Sequence, residues 1–112
     1  MELLFRTEGH ISVLGVEASR IDAPVAVAFK EAFRQHTASR PAQVILDLTR
    51  VDFIDSSGLG AIVAAMKLLA PDGILHLAGM SPMVRRVFQL TRMDTIFRIY
   101  DTLEDALDAQ RP

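Results

Sequence analysis

Two adjacent serines between an aspartate and two glycines form the segment of this chain best suited to chemistry. The segment is DSSGLG, from Asp55 to Gly60. Asp55, Ser56 and Ser57 all carry side-chain oxygens that can accept a hydrogen bond from the free N–H groups at the start of a helix. Capping needs only one of these oxygens. The sequence therefore predicts a spare hydroxyl beside glycine backbone of little bulk, where a partner can approach it.

The same segment lacks the features that two common kinds of active site require. A Gly-x-Ser-x-Gly elbow needs a first glycine that is absent here, and none of His10, His36 and His76 stands in the context of a catalytic base. A phosphate-binding loop needs a third glycine and a lysine after Gly58 and Gly60, and the sequence has neither. The chain has no cysteine, and its histidines do not have metal-ligand spacing. We therefore expect no enzymatic activity, no catalytic residue, no metal and no cofactor.

Phosphorylation requires only an accessible hydroxyl at a position where added charge matters. A phosphate brings about −1.5 to −2 charges, and the dipole and free N–H groups of a helix N-terminus favour such a charge. Asp52 and Asp55 oppose it, but exposed carboxylates are screened by solvent. Phosphorylation would change the charge of the surface while the fold stays intact. The structural alternative is that Ser56 and Ser57 serve only as helix caps.

Composition limits the classes of protein to which the chain can belong. Its 112 residues suit a single domain, 1–112, and 50% of them are hydrophobic. A net charge of −2 gives no electrostatic reason to bind nucleic acid or an anionic membrane surface. The longest apolar run, residues 60–66, is too short to span a bilayer, and no secretory signal opens the chain. We expect a cytoplasmic protein, and the sequence does not predict its oligomeric state.

Hydrophobic patterns and turn residues predict strands that alternate with helices. A strand pair over 2–6 and 10–15, joined by a turn at 7–9, precedes a helix that Asp22 caps and that ends before Pro41. The nearly continuous apolar run at 44–48 indicates a central strand that is covered on both faces. A helix over 57–70 and a strand over 74–77 follow. The chain ends with a helix capped by Ser81, a strand over 96–100 and a helix to about residue 109.

The element order is β-β-α-β-α-β-α-β-α, which is typical of an α/β fold. We predict an open mixed sheet whose central strands are parallel and covered by helices. Apolar residues at helical spacing are expected to face the core. In the first helix they are Val25, Phe29 and Phe33, and in the third Met83, Val84, Val87, Phe88 and Leu90.

Residues 44–60, VILDLTRVDFIDSSGLG, closely resemble the signature of STAS domains, in particular of bacterial anti-sigma factor antagonists. Two further segments, 20–23 and 78–86, resemble the start of the family's first helix and the turn before its third helix. The resemblance extends over nearly the whole chain. In one respect the sequence departs from the family, which often has Gly-Glu-Leu/Ile-Asp before the first helix. Here Ala18, Ser19, Arg20 and Ile21 precede Asp22.

The resemblance implies a phosphorylation-controlled switch between partners. In the family, the unphosphorylated antagonist binds a serine kinase that is also an anti-sigma factor and so frees the sigma factor. Phosphorylation releases the kinase, and a metal-dependent serine phosphatase removes the phosphate. The family's phosphoserine corresponds to Ser56. The positions that correspond to its partner-binding surface are Asp22, Asp55, Ser57, Gly58, Leu59 and Gly60.

Three alternatives remain open from the sequence. The start of the helix at residues 56–60 is a plausible place for a sensor to bind a nucleotide or an anion. Related STAS domains also act in partner switches outside sigma control, for example in biofilm formation, motility or signalling. A purely structural interaction domain, in which the two serines only cap the helix, is the third alternative.

Overall fold

A mixed five-stranded sheet forms the centre of the computed structural model, which describes residues 2–111. Numbered in chain order, its strands are β1 (Leu3–Glu8), β2 (Ile11–Val16), β4 (Gln43–Asp47), β6 (Ile74–Ala78) and β7 (Arg98–Tyr100). Their spatial order is β1-β2-β4-β6-β7. The edge strand β1 pairs antiparallel with β2, and every other neighbouring pair in this sheet is parallel. The predicted fold class is therefore confirmed.

Four helices cover the two faces of this sheet unequally. On one face, the first three helices pack with one side of the strands around Phe29, Ile62 and Phe88, which are fully buried. On the other face, the fourth helix contributes Ala106 and Leu107 to a smaller cluster. The helices are α1 (Ala23–His36), α2 (Ser56–Leu69), α3 (Pro82–Leu90) and α4 (Leu103–Gln110).

The central strand β4 is buried on both sides, as its apolar sequence predicts. Val44 and Leu46 face the larger cluster, and Ile45 between them faces the cluster under α4. All three side chains have no solvent exposure. Successive strand residues point to opposite faces, so a run of apolar residues is needed where both faces are covered.

Two very short strands that the sequence did not predict form a second sheet. They are β3 (Arg20–Ile21) and β5 (Phe53–Ile54), and they pair in parallel. β3 lies between β2 and α1 in the chain, and β5 lies between β4 and α2. Strands β2 and β4 thus each reach the following helix through a short link and a two-residue strand.

The hairpin turn and the last strand differ from the prediction. Strand β1 continues to Glu8, so the turn consists of Gly9 and His10 rather than residues 7–9. Gly9 has φ of 60°, a conformation that glycine adopts without strain. The strand predicted over 96–100 begins only at Arg98. A 3₁₀ turn, Met93–Thr95, precedes it.

Helix α3 buries fewer of its apolar residues than its sequence predicts. Val84 and Phe88 are fully buried, but Met83 is 62% and Leu90 72% exposed. With 3.6 residues per turn, Met83 and Leu90 lie about 100° and 120° round the helix from Val84. The helix packs through the stripe that contains Val84 and Phe88. The assignment of Met83 and Leu90 to the core is therefore wrong.

A fully buried histidine lies in β6, where the sequence pattern predicts only an apolar strand. Nε2 of His76 lies 2.7 Å from Oε1 of Gln43, and Nδ1 lies 3.4 Å from Nε2 of Gln110. An amide oxygen can only accept and an amide nitrogen only donate, so these contacts fit the neutral ring with its proton on Nε2. Burial, and then the cation of Arg98, lower the pKa of His76 to about 4.

The lowered pKa of His76 predicts that the protein loses stability in mild acid. The unfolded chain takes up a proton at an ordinary histidine pKa of about 6.5, whereas the folded protein does so only near pH 4. Above about pH 6.5 His76 is neutral in both states, and it does not lower the free energy of unfolding. Between pH 6.5 and pH 4 the free energy of unfolding falls as the pH is lowered, by up to about 1.4 kcal/mol for each pH unit. Urea unfolding between pH 7.5 and 4.5 measures this slope.

The variant His76→Gln should show a shallower slope than the wild type, because it has no proton to take up at this position. His10→Gln is the matched control, since His10 is exposed in the hairpin turn. Equal slopes for the wild type and His76→Gln would contradict the prediction.

Candidate functional site

Pairing of β3 with β5 brings the starts of α1 and α2 together. Arg20 lies opposite Phe53, and Ile21 lies opposite Ile54. The backbone before this pair is also joined, because the carbonyl oxygen of Ser19 accepts hydrogen bonds from the N–H groups of Asp52, at 2.7 Å, and Phe53, at 3.2 Å. Neighbouring strands lie about 4.8 Å apart. The residues that follow Ile21 and Ile54 therefore lie side by side.

Both of these following residues are aspartates that cap a helix. Oδ1 of Asp22 accepts from the N–H of Val25 at 3.4 Å, and Oδ1 of Asp55 accepts from the N–H of Gly58 at 2.9 Å. Their backbones are almost the same, with φ and ψ of −103° and −174° at Asp22 and of −107° and −174° at Asp55. The two strand–link–strand–helix units thus share one local geometry, and Asp22 caps α1 as its sequence predicts.

Ser56 and Ser57 are the first two residues of α2, and both are exposed. The first backbone hydrogen bond of the helix runs from the N–H of Leu59 to the carbonyl of Asp55 at 2.9 Å. The helix begins one residue earlier than predicted, and its cap is the carboxylate of Asp55. The alternative in which the serines serve as the caps is therefore wrong, and both hydroxyls are free of that role.

The remaining residues of the segment divide into buried and exposed positions. Gly58 is buried, and a Cβ atom there would lie 2.8 Å from Cγ1 of Ile54 and 2.9 Å from Cγ2 of Ile21, and closer still to the carbonyl oxygen of Ile21. Leu59 is 9% exposed and packs into the larger core cluster. Gly60 is exposed, and nothing lies within 4 Å of the place where its Cβ would be. Gly58 and Leu59 therefore hold the helix in place.

The predicted partner-binding residues thus lie on one edge of the molecule but differ in access. Ser57 and Gly60 are exposed, whereas Asp22 and Asp55 are half-buried by their capping role. Gly58 and Leu59 present little surface. A role for these six residues in binding a partner stays a prediction.

The sequence assigns no role to Arg20 or Phe53, which lie close to the segment in the chain or in the fold. The guanidinium carbon of Arg20 lies 4.4 Å from the centroid of the Phe53 ring. Nε of Arg20 donates to Oδ2 of Asp22 at 3.3 Å. Only the pairing of β3 with β5 brings the arginine and the ring together. The sequence shows at most that Arg20 stands two residues before a helix cap.

Within residues 2–111, no three histidine, aspartate or glutamate side chains converge in a way that would hold a metal ion. Over the same range, none of the helices combines the length and the apolar character that crossing a bilayer demands. The candidate site presents exposed hydroxyls, half-buried carboxylates, one guanidinium and the start of a helix. Such a surface can accept a phosphate or contact a protein.

Comparison with known proteins identifies the family. The family model described as "STAS domain" matches residues 3–106, so this chain belongs to the STAS domain family. It is 30% identical over 101 residues to the anti-sigma-F factor antagonist RsfB of Mycobacterium tuberculosis, covering 90% of this chain and 82% of the relative.

Two further proteins show the same likeness. An anti-sigma-B factor antagonist of Listeria monocytogenes is 34% identical over 100 residues, which are 88% of this chain and 86% of the relative. The crystal structure of an anti-sigma factor antagonist from Mycobacterium paratuberculosis superposes with a TM-score of 0.89 at 32% identity, covering 99% of this chain and 94% of that one. The resemblance seen in the sequence is therefore confirmed at the level of the family.

The surroundings of Gly58 and Gly60 predict that substitution by alanine has opposite effects on stability at the two positions. Gly58→Ala forces a methyl group against the backbone of β3 and should destabilise the protein by about 1–3 kcal/mol. Gly60→Ala meets open space in a helix and should stabilise it by about 0.5–1 kcal/mol. Urea midpoints of the two variants measure both effects. A Gly58→Ala variant as stable as Gly60→Ala would contradict the close approach to Ile21.

The assignment of the cap to Asp55 predicts which side chain the start of α2 needs. Asp55→Ala should lose about 1 kcal/mol of folding stability, and Asp55→Asn should lose little, because asparagine also caps well. Ser56→Ala and Ser57→Ala should each stay within about 0.5 kcal/mol of the wild type, as exposed positions without a structural bond do. A loss at either serine equal to that of Asp55→Ala would show that the serine is the cap.

Proposed function

We propose that this protein is an anti-sigma factor antagonist that works as a phosphorylation-controlled partner switch. Its unphosphorylated form binds a serine kinase that is also an anti-sigma factor. Phosphorylation of Ser56 breaks this complex, and a metal-dependent serine phosphatase restores the binding form. The protein acts through binding and carries out no catalysis of its own. Support comes from its membership of the STAS family and from relatives that are named as anti-sigma factor antagonists.

The proposal is carried by one observation: the carboxylate of Asp55 caps α2, and the serine hydroxyls do not. Asp55 alone supplies the side-chain cap of α2, and Ser56 stands exposed directly after it. A kinase can therefore use the Ser56 hydroxyl without removing a hydrogen bond on which the helix depends. A serine that capped the helix would have its hydroxyl oxygen engaged with a backbone N–H and less open to a kinase.

A phosphate on Ser56 is expected to change the charge of the surface without changing the fold. The N–H groups of Ser56 and Ser57 precede the first intrahelical hydrogen bond, and the helix dipole is positive at this end. A phosphate there is tolerated by the helix, even with Asp55 close by. The formal net charge would move from −2 to about −4, with the new charge concentrated beside two capping aspartates.

The kinase-binding surface, in this proposal, is the edge that carries both helix caps. Ser57 and Gly60 are exposed next to Ser56, and Gly60 leaves room for a partner to approach the helix backbone. Asp22 belongs to the same edge because β3 is paired with β5. Gly58 and Leu59 contribute by holding α2 against β3. A dianionic phosphate in the middle of this edge would have to be desolvated when a partner binds, which opposes association.

Phosphorylation should occur on Ser56 and should abolish kinase binding. Incubation with ATP and an anti-sigma serine kinase from the same genome should add one phosphate, found by intact-mass spectrometry and placed by peptide mapping. Ser56→Ala should take up none and should bind the kinase persistently. In calorimetry, Ser56→Asp should bind at least about tenfold more weakly than the wild type, equivalent to about 1.4 kcal/mol.

Ser57→Ala is the matched control, because Ser57 is exposed in the same helical turn. It should be phosphorylated like the wild type. Phosphate on Ser57, or kinase binding by Ser56→Asp as tight as that of the wild type, would refute the switch at this residue. Unchanged thermal unfolding of Ser56→Asp would show that the weaker binding does not come from a damaged fold.

A further inference from the structure

Arg20 is an exposed cation that two weak contacts hold beside the candidate site. It pairs with Asp22 through Nε and Oδ2 at 3.3 Å, and its guanidinium lies 4.4 Å from the centre of the Phe53 ring. Its side chain is 57% exposed, and that of Asp22 is 28% exposed. An ion pair this open to solvent contributes little to stability. Arg20 can therefore leave Asp22 at little cost if a stronger anion comes within reach.

The strand register places Arg20 beside the strand that leads into Ser56. Arg20 lies directly opposite Phe53, and Ser56 follows Phe53 by three residues. The caps Asp22 and Asp55 directly follow the paired residues Ile21 and Ile54. The long side chain of Arg20 thus starts on the strand next to the one that leads into Ser56, and it already leans across that strand over the ring of Phe53.

The two carboxylate oxygens of Asp22 accept hydrogen bonds from different donors. Oδ1 accepts the capping hydrogen bond from the N–H of Val25, and Oδ2 accepts from Arg20. Departure of Arg20 therefore leaves the cap of α1 in place. A phosphate carries up to about two charges against one on Asp22, and its oxygens match the two-pronged guanidinium better than a single carboxylate oxygen does.

We infer that Arg20 exchanges Asp22 for the phosphate once Ser56 is phosphorylated. The inference rests on the proposed phosphorylation of Ser56. In the unphosphorylated protein, the partner meets a surface in which Arg20 neutralises Asp22. In the phosphorylated protein, Arg20 turns to the phosphate and leaves the Asp22 carboxylate uncompensated. One modification thus alters the charge at both helix caps, and Arg20 is the residue that transmits the change from α2 to α1.

Phosphorus NMR of the protein with phosphoserine at position 56 tests this exchange. Installing phosphoserine during translation makes the test independent of any kinase, so its failure is distinct from failure of the proposed function. The titration runs from pH 5 to 8.5, and the charged groups around the phosphate are Arg20, Asp22, Asp52 and Asp55. Arg20→Gln should raise the second pKa of the phosphate by roughly 0.3–0.7 units, because a nearby cation favours the dianion.

Arg6→Gln is the matched control. Arg6 forms a similar ion pair with Glu8, two residues along β1, and that pair lies towards the hairpin end of the sheet, away from the helix caps. This substitution should leave the phosphate pKa unchanged. If Arg20→Gln shifted the pKa no more than Arg6→Gln does, the inference would be wrong.

The variant Asp22→Asn distinguishes exchange of Arg20 between Asp22 and the phosphate from independent electrostatic effects of these two residues on the phosphate. Asparagine keeps the helix cap, which amide spectra can verify, and it removes the competing anion. With Arg20 present, Asp22→Asn should lower the phosphate pKa more than the same substitution does in the Arg20→Gln background. Equal shifts in the two backgrounds would show that Asp22 and Arg20 act independently, and would overturn the exchange.

Discussion

The close approach of α2 to the backbone of β3 is the contact on which the candidate site depends. Gly58 lies against the carbonyl oxygen of Ile21, and the N–H of Asp55 donates to the same oxygen at 3.4 Å. A side chain at position 58 would push the start of α2 away from β3. The glycine therefore serves the packing of two chain segments, and the pairing of the two short strands, the alignment of the caps and the position of Ser56 all follow from it.

Comparison of the two helix starts shows what is specific to α2. Both begin after a two-residue strand, with an aspartate cap in almost the same backbone conformation. After Asp22 come Ala23 and Pro24, neither of which has a group that a kinase could modify. After Asp55 come two exposed serines. The same structural device thus occurs twice, and only the second copy carries hydroxyls that its own cap does not use.

The sequence predicts the large elements because their signals are local. Helix α1 has its cap, its early proline and its buried phenylalanines within one stretch of chain, and β4 has an apolar run that fits only a strand covered on both faces. It does not predict β3 and β5, because two residues have no periodicity and Arg20 pairs with Phe53, which is remote in sequence. The sequence also does not show which face of α3 is buried, since Met83 and Leu90 are apolar but lie off the stripe that packs on the core.

Because a sequence carries mainly local signals, it predicts some parts of the candidate site and not others. Residue types alone leave Asp55, Ser56 and Ser57 as equal candidates for the cap, because all three carry a suitable oxygen. Only the geometry assigns the hydrogen bond from Gly58 to Asp55 and leaves the serines exposed. The contact between Arg20 and Phe53 depends on a strand pair with no sequence signal, so the position of this cation beside the strand that leads to the serines emerges only from the three-dimensional structure.

The proposed switch needs no second fold. The starts of α1 and α2 are capped by hydrogen bonds that do not involve the Ser56 hydroxyl. The proposed phosphorylation would therefore change the charge of the surface and leave the fold intact. The exposed ion pair of Arg20 with Asp22 is weak enough to rearrange, whereas the hydrogen bond from Gly58 to Asp55 is partly buried and supports the helix. Strong contacts thus hold the frame of the site, and weak, solvent-exposed contacts are the ones that a change of charge can redistribute.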